Sequence, residues 1–396
     1  RGLLNALPEI KAKGATVVLV APSWKLPPEL RHSVPVISVD LPTREELAST
    51  LDEVAIDHGL ETNGNRLVLL DSAAGLTYGE AENAFALSVI ETGGELSSDI
   101  VQREKMRTLS ATGFLNVSKP ADPEEIGGLD LLKSYLWNEV KPNFRDRQIA
   151  PRGIILCGPA GSGKSLTAKA SAAILNVPLI RFDFAACKGG LVGESESNVR
   201  LATKIIEAVS PCVVWIDEID KAVGGHESSA QSDGGTTLAM VGHLLTWLQE
   251  HDKQIFVVAT CNDYDKLPTP LTRAGRIDER FAVELPNEDE RRSIAQIHLN
   301  RLGCPTDSGL VNYVASATNK FTGAEIEATI RSAARLSQRK VTTDHVDEAS
   351  SSIKPVAVVE AEQLAAFREF AKRSLRPANV PSTTTNGPKR SLKVKK

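Results

Sequence analysis

Eight consecutive residues, Gly158-Pro159-Ala160-Gly161-Ser162-Gly163-Lys164-Ser165, carry the spacing G-x-x-x-x-G-K-[ST]. Glycines at these places let successive backbone N–H groups curl around phosphate oxygens without a clash from Cβ. A helix starting at Lys164 adds the partial positive charge of its N-terminus. Lys164 then neutralises the outer phosphates of a nucleoside triphosphate, and the Ser165 hydroxyl holds Mg²⁺. Pro159, Ala160, Gly161, Ser162, Gly163, Lys164, Ser165 and Leu166 are the expected phosphate-binding residues. A second cluster ends the apolar run Cys212-Val213-Val214-Trp215-Ile216 in two acids, Asp217 and Glu218. Packing gives a buried strand no reason to end in adjacent carboxylates, so Asp217 is assigned to the metal and Glu218 to the attacking water as general base. Asn262 follows another apolar run and offers a neutral hydrogen bond to the outermost phosphate or the water. Arg273 and Arg276 flank Gly275. Guanidinium groups on a transferring phosphoryl group stabilise its developing charge, an effect of about 10³–10⁵ in rate.

These groups need a scaffold that brings strand ends together. Gly153–Cys157, Pro178–Asp183, Cys212–Asp217 and Gln254–Thr260 read as strands. Helix-forming stretches separate them, which predicts right-handed crossovers and a parallel sheet. From about Asp289 the pattern turns helical and predicts a separate small domain.

An internal repeat precedes this module. Val17-Val18-Leu19-Val20-Ala21, Lys25-Leu26-Pro27-Pro28-Glu29-Leu30 and Val39-Asp40-Leu41-Pro42 return as Ile255-Phe256-Val257-Val258-Ala259, Lys266-Leu267-Pro268-Thr269-Pro270-Leu271 and Val283-Glu284-Leu285-Pro286. Leu76-Thr77-Tyr78-Gly79-Glu80 likewise echoes Phe321-Thr322-Gly323-Ala324-Glu325. The first copy lacks the phosphate loop and the arginine pair. It is expected to be a structural or docking module whose phosphate-loop half lies upstream or is lost.

The 396 residues predict two or three domains, and no apolar run reaches the ~20 residues of a membrane helix. The chain starts at Arg1 without an initiator Met, so further protein is expected upstream. Five cysteines, odd in number and without CxxC spacing, argue against a disulfide framework or zinc site and fit a reducing cytoplasm. A net charge of −4 disfavours nucleic acid as the main partner. From Pro377 onward, however, the tail is basic without a single acid. That composition serves as a solvated tail or as an arm for an acidic partner.

Taken together, the segments resemble the AAA family of ATPases over roughly Pro123 to Ala349. Within it they are most similar to the uncharacterised cyanobacterial, plastid and phage group of the hypothetical plastid reading frame forty-six type. Leu191-Val192-Gly193-Glu194-Ser195-Glu196, Trp215-Ile216-Asp217-Glu218-Ile219-Asp220-Lys221 and Leu244-Leu245-Thr246-Trp247-Leu248-Gln249-Glu250 carry that likeness. The resemblance implies an α/β P-loop module, a parallel sheet flanked by helices, with a helical lid and a degenerate AAA-like module in front. The expected boundaries are 1–115 for the degenerate module (sheet remnant plus lid), 116–288 for the large subdomain, 289–375 for the lid and 376–396 for a disordered basic tail. It implies ATP with Mg²⁺, Ile126 and Gly127 beside the adenine, His298 near the nucleoside, and Gly323 and Ala324 as lid contacts. Asp183 takes the place of a polar residue that restrains the catalytic Glu. The resemblance further implies a homo-oligomer, a hexameric ring in which Arg273 and Arg276 serve the neighbouring subunit, with a protein substrate. Leu191 stands at the pore position where many protein translocases carry an aromatic, which weakens the expectation of threading.

Overall fold

The computed structural model describes the chain except residues 1, 21–33, 36, 38–40, 61–65, 147, 190–193, 224–233, 268–270, 272–274 and 381–396. Helix α1 (Gly2–Ala12) is followed by a bundle of α2 (Arg44–Asp57), α3 (Arg66–Ala73), α4 (Tyr78–Thr92) and α5 (Ser98–Ala111). Strand β1 (Leu115–Ser118) leads into the sheet domain, where α6 (Asp130–Tyr135) and α7 (Lys141–Asn143) precede β2 (Gly153–Cys157). Then come α8 (Lys164–Leu175), β3 (Leu179–Phe182), α9 (Glu194–Val209), β4 (Cys212–Ile216), α10 (Ile219–Val223), α11 (Gly234–Glu250), β5 (Ile255–Cys261) and β6 (Glu279–Ala282). A second bundle consists of α12 (Glu288–Leu302), α13 (Ser308–Ala317), α14 (Gly323–Leu336) and α15 (Thr343–Ser351). Helices α16 (Val356–Val359) and α17 (Ala361–Ser374) and strand β7 (Arg376–Pro377) complete the fold.

The sheet order is β1-β3-β4-β5-β2-β6-β7. Strands β2 to β7 pair in parallel, and β1 closes one edge antiparallel to β3, with Leu115 opposite Phe182. Helices cover both faces, which is why the central strands read as unbroken apolar runs. Alternation divides them between two cores. Ile155, Val214 and Ile216 point into one, and Ile154, Leu156, Val213 and Trp215 into the other. Because β2 lies between β5 and β6, the loop after Cys157 opens at the carboxyl ends of three neighbouring strands, where open α/β sheets bind ligands.

The two bundles repeat one design. In each, the first and last helices pack on both middle helices. Each opens its first helix with a reciprocal capping box, Thr43 with Glu46 and Asn287 with Glu290. Each does the same at its third, Thr77 with Glu80 and Thr322 with Glu325. Such boxes satisfy two otherwise orphaned backbone donors at a helix start.

Three expectations need correction. The sheet remnant expected at the first copy's apolar run, which starts at Val17, is not formed among the described residues. Residues 15–20 have no regular structure, and Val18 and Val20 are exposed, because a strand without a neighbour leaves its backbone unpaired. The lid core stops near Ile353 and not at 375. Helix α17 returns to the sheet domain, where Phe370 packs on Tyr264 and Arg368 pairs with Glu284. The expected tail also begins too early. Arg376 and Pro377 pair with β6, and Ala378 and Asn379 are buried. Arg376 is held there by Glu139 and Glu279 and lies over the rings of Tyr135 and Phe281. A two-residue strand has no periodicity to read. The rest of the basic tail, 381–396, lies outside the described residues.

The N-terminal bundle has its own core around Leu47, Leu51, Phe85 and Val101. Phe85→Ala should cost about 3–5 kcal/mol there. Urea unfolding followed by far-UV circular dichroism should show an earlier helical transition. In a Trp24→Phe background, fluorescence of Trp137, Trp215 and Trp247, all in the sheet domain, should report an unmoved one. Equal shifts in both signals would show that bundle and sheet unfold as one unit.

Candidate functional site

The loop from Gly158 to Gly163 connects the buried strand β2 to α8. Gly161 and Gly163 have φ of +76° and +98°, a region that side chains disfavour. The loop therefore keeps the concave path in which its N–H groups can face an anion. Lys164 is buried, and its ammonium donates to the carbonyls of Gly158 at 2.7 Å and Pro159 at 2.8 Å. Burial lowers its pKa from the ordinary lysine value. The Ser162 hydroxyl is buried and, among the described residues, has no hydrogen-bond partner, the kind of orphan that a ligand oxygen satisfies.

The acids face this loop across the sheet. Ser165 Oγ donates to Asp217 Oδ1 at 3.2 Å, which brings the two expected metal-side oxygens together. Few protein oxygens plus substrate phosphates suit Mg²⁺, which keeps much of its own water shell. Thr260 Oγ1 donates to the same Asp217 oxygen at 2.7 Å and accepts the Glu218 N–H at 2.9 Å. Thr260 thus aligns both acids, although sequence reading passed over it. Its signal was a hydroxyl inside an otherwise apolar central strand, where a buried polar group must find a partner.

Glu218 sits in the left-handed region at φ +48°. Its carboxylate accepts from Asn262 Nδ2 at 3.1 Å and from Lys221 Nζ at 2.7 Å. Lys221, helped by Asn262, holds the Glu218 carboxyl below the usual carboxylate range. Asp183 caps the turn after β3 by accepting from the Ala186 N–H at 3.0 Å, so the restraint on Glu218 comes from Lys221 and Asn262. Arg181, also missed in the sequence, reaches to 4.0 Å from Asp217 and lies over the Trp215 ring.

The lid touches the loop directly. Ala324 donates its N–H to the Gly161 carbonyl at 3.1 Å, which brings Gly323 and Ala324 to the phosphate loop. Ile126 is buried, and Gly127 lies so close to Ile294 that a Cβ would approach its side chain within 2.5 Å. His298 lies 3.9 Å from Glu327, and burial lowers its pKa. Arg276 is placed elsewhere. It donates to Gln249 at 3.3 Å, at the end of α11. Asp278, two residues on, binds the backbone N–H groups of Arg152 and Gly153 at the start of β2. The phosphate loop leaves from the other end of that strand, roughly 15 Å away. Arg273 and Leu191 lie outside the described residues. Among the described residues no helix is long and apolar enough to cross a membrane.

Comparison with known proteins places this geometry in a family. The family described as ATPase family associated with various cellular activities (AAA) matches residues 154–285. The "Uncharacterized AAA domain-containing protein ycf46" of Guillardia theta is 34% identical over 384 residues, covering 94% of this chain and 75% of that protein. The cell division cycle protein 48 homolog of Archaeoglobus fulgidus is 33% identical over 261 residues, covering 59% of this chain and 35% of that protein. The fold resembles the crystal structure of the FIGL-1 AAA domain in complex with ADP, with a TM-score of 0.56 at 20% identity, covering 69% of this chain and 97% of that one. The chain belongs to the AAA family, in the group of the ycf46 proteins.

Proposed function

We propose that this protein hydrolyses ATP at the Gly158–Ser165 loop and uses the turnover to remodel a protein substrate or complex as part of a homo-oligomeric ring. The observation that carries the reading is the network in which Ser165, Asp217, Thr260, Glu218 and Asn262 converge beside the loop. In this reading Lys164 leaves the Gly158 and Pro159 carbonyls for the phosphates, and Ser162 gains its missing partner. Ser165 and Asp217 would hold Mg²⁺, which would supply charge neutralisation on the phosphates. Glu218 takes the proton from the attacking water, and Asn262 orients that water. Ile126, Gly127 and His298 line the base side, and Gly323 and Ala324 close the phosphate side. The N-terminal bundle, with the lid's helix pairing and capping, fits the lid of a second, degenerate copy that does not hydrolyse ATP.

The remote position of Arg276 favours action on a neighbouring subunit, and Arg273 is assigned the same role. Arg276→Ala should lower turnover by about 10³-fold or more while leaving ATP binding nearly normal. Glu218→Gln should bind ATP and trap it. Mixing the two inactive variants should restore about one quarter of wild-type activity, since random head-to-tail assembly pairs intact halves in that share of the interfaces. No recovery on mixing would reject the shared site.

Lys221 generates a pH test. Glu218 must be ionised to act as base, and Lys221 depresses its pKa, so the acid limb of kcat lies below that of an ordinary carboxylate. Lys221→Met removes the depression, so the limb should move to higher pH. Near neutral pH kcat should change no more than ~5-fold, because the pair is solvent-exposed. A limb that stays in place would mean that another group sets it.

The substrate class is tested by stimulation. Unfolded protein should raise the ATPase rate several-fold and single- or double-stranded DNA should not; the reverse pattern would replace remodelling with a nucleic-acid motor.

A further inference from the structure

The lid meets the sheet domain at one buried carboxylate. Glu290, in the first turn of α12, is only 4% exposed. It accepts the Leu129 N–H at 3.0 Å and the Asn287 N–H at 2.9 Å. Both of its oxygens also face the Asn379 amide, at 3.0 and 2.9 Å. These donors come from three separate parts of the chain: the base-side segment, the linker into the lid and the C-terminal segment. Gly128 is required beside it, since a Cβ there would lie 2.5 Å from the Glu290 side chain.

Asn379 also works in the other direction. Its Oδ1 accepts the Glu284 N–H at 2.9 Å, on the sheet side of the linker. One side chain therefore spans residues 284–290, where any rotation of the lid must occur. The C-terminal segment is itself fastened to the sheet domain. Ala378 donates to the Ala282 carbonyl at 2.9 Å and accepts from Leu132 at 3.3 Å, and Arg376 is clasped by Glu139 and Glu279.

We propose that Glu290 and Asn379 form a latch by which the C-terminal segment 376–380 holds the lid closed over the nucleotide. Both are positioning residues, since neither is part of the acid and phosphate-loop network. Among the described residues, two hydrogen-bonded attachments tie the lid to the sheet domain around the site, Gly161 with Ala324 at the phosphate end and Glu290 at the base end, beside the packing of Gly127 on Ile294. Loosening the second tilts the lid away from the base while Asp217, Glu218 and Thr260 stay in place. The latch thus sets nucleotide affinity more than the rate of hydrolysis. This inference rests on the proposed ATP site.

Asn379→Asp is the discriminating variant. It keeps the size of the side chain and an acceptor for the Glu284 N–H, but it turns a carboxylate toward Glu290. The two like charges repel. Adding Glu290→Gln swaps carboxylate and amide, which removes the repulsion and restores an N–H donor between the two side chains. Full-length protein is assayed for ATP hydrolysis and for binding of a fluorescent ATP analogue, beside wild type and Lys164→Ala. The expected result is a KM and Kd raised about tenfold in Asn379→Asp, kcat within about threefold, and both constants back within about threefold of wild type in the double variant. Unchanged constants in Asn379→Asp overturn the latch, and an equal rise in both variants overturns it as well, since that marks general damage. A wild type that binds no nucleotide removes the ATP reading together with the latch. A wild type that binds, next to an unaffected variant, removes the latch alone.

Discussion

The Thr260 hydroxyl holds the centre of this molecule together. It donates to Asp217 and accepts the amide of Glu218, which fixes the end of β4 against β5 through a single oxygen. The register of these strands, with Ile216 opposite Ala259, puts Thr260 beside the residue that follows the strand. Everything else at the site is arranged around that point. Asp217 in turn receives Ser165 from α8, so the start of the helix after the phosphate loop is tied to the same oxygen pair. The apolar cores on both faces keep the strands from sliding, because a slip of one residue would turn buried side chains toward the wrong core.

Most of this arrangement could be read from the residues. The phosphate loop has glycines that only an unusual backbone path needs, and the two acids end an apolar strand where packing gives them no purpose. Such signals are local, so they survive in the sequence. What could not be read depends on contacts between distant parts of the chain. Thr260 is a hydroxyl in an apolar run until the register places it against Asp217. Lys221 looks like an ordinary surface lysine until the left-handed turn at Glu218 brings the two side chains together. The strand at Arg376 and Pro377 is too short for any pattern, and its place comes from Glu139, Glu279 and two aromatic rings far away in sequence. The repeat was legible as helices, since caps and apolar spacing are local. Its sheet remnant, starting at Val17, was not legible, because a strand exists only with a partner.

The C-terminal segment changes how the lid should be understood. A lid joined by one linker would rotate freely about it. Here Asn379 bridges the linker from Glu284 to Glu290, and α17 packs back beside Tyr264. The lid therefore hangs from the sheet domain by its linker, by the Gly161–Ala324 bond and by the buried Glu290. A buried carboxylate is stable only while its donors stay in place. Partial opening would leave it under-satisfied, so the junction resists small rotations of the lid.

The strain at Glu218 points the same way. A non-glycine residue in the left-handed region costs about 1 kcal/mol or more and persists only when its surroundings impose it. At Glu218 the Thr260 hydroxyl fixes the backbone amide, and α10 starts directly afterwards at Ile219. The left-handed turn directs the carboxylate toward Asn262, at the end of β5, while the neighbouring Asp217 faces Ser165. Relaxing that one φ angle would take the two carboxylates out of their separate relations with Asn262 and Ser165. The strained turn is therefore the element that gives two adjacent acids two different partners. Its cost is met by the same hydroxyl that holds the strands in register.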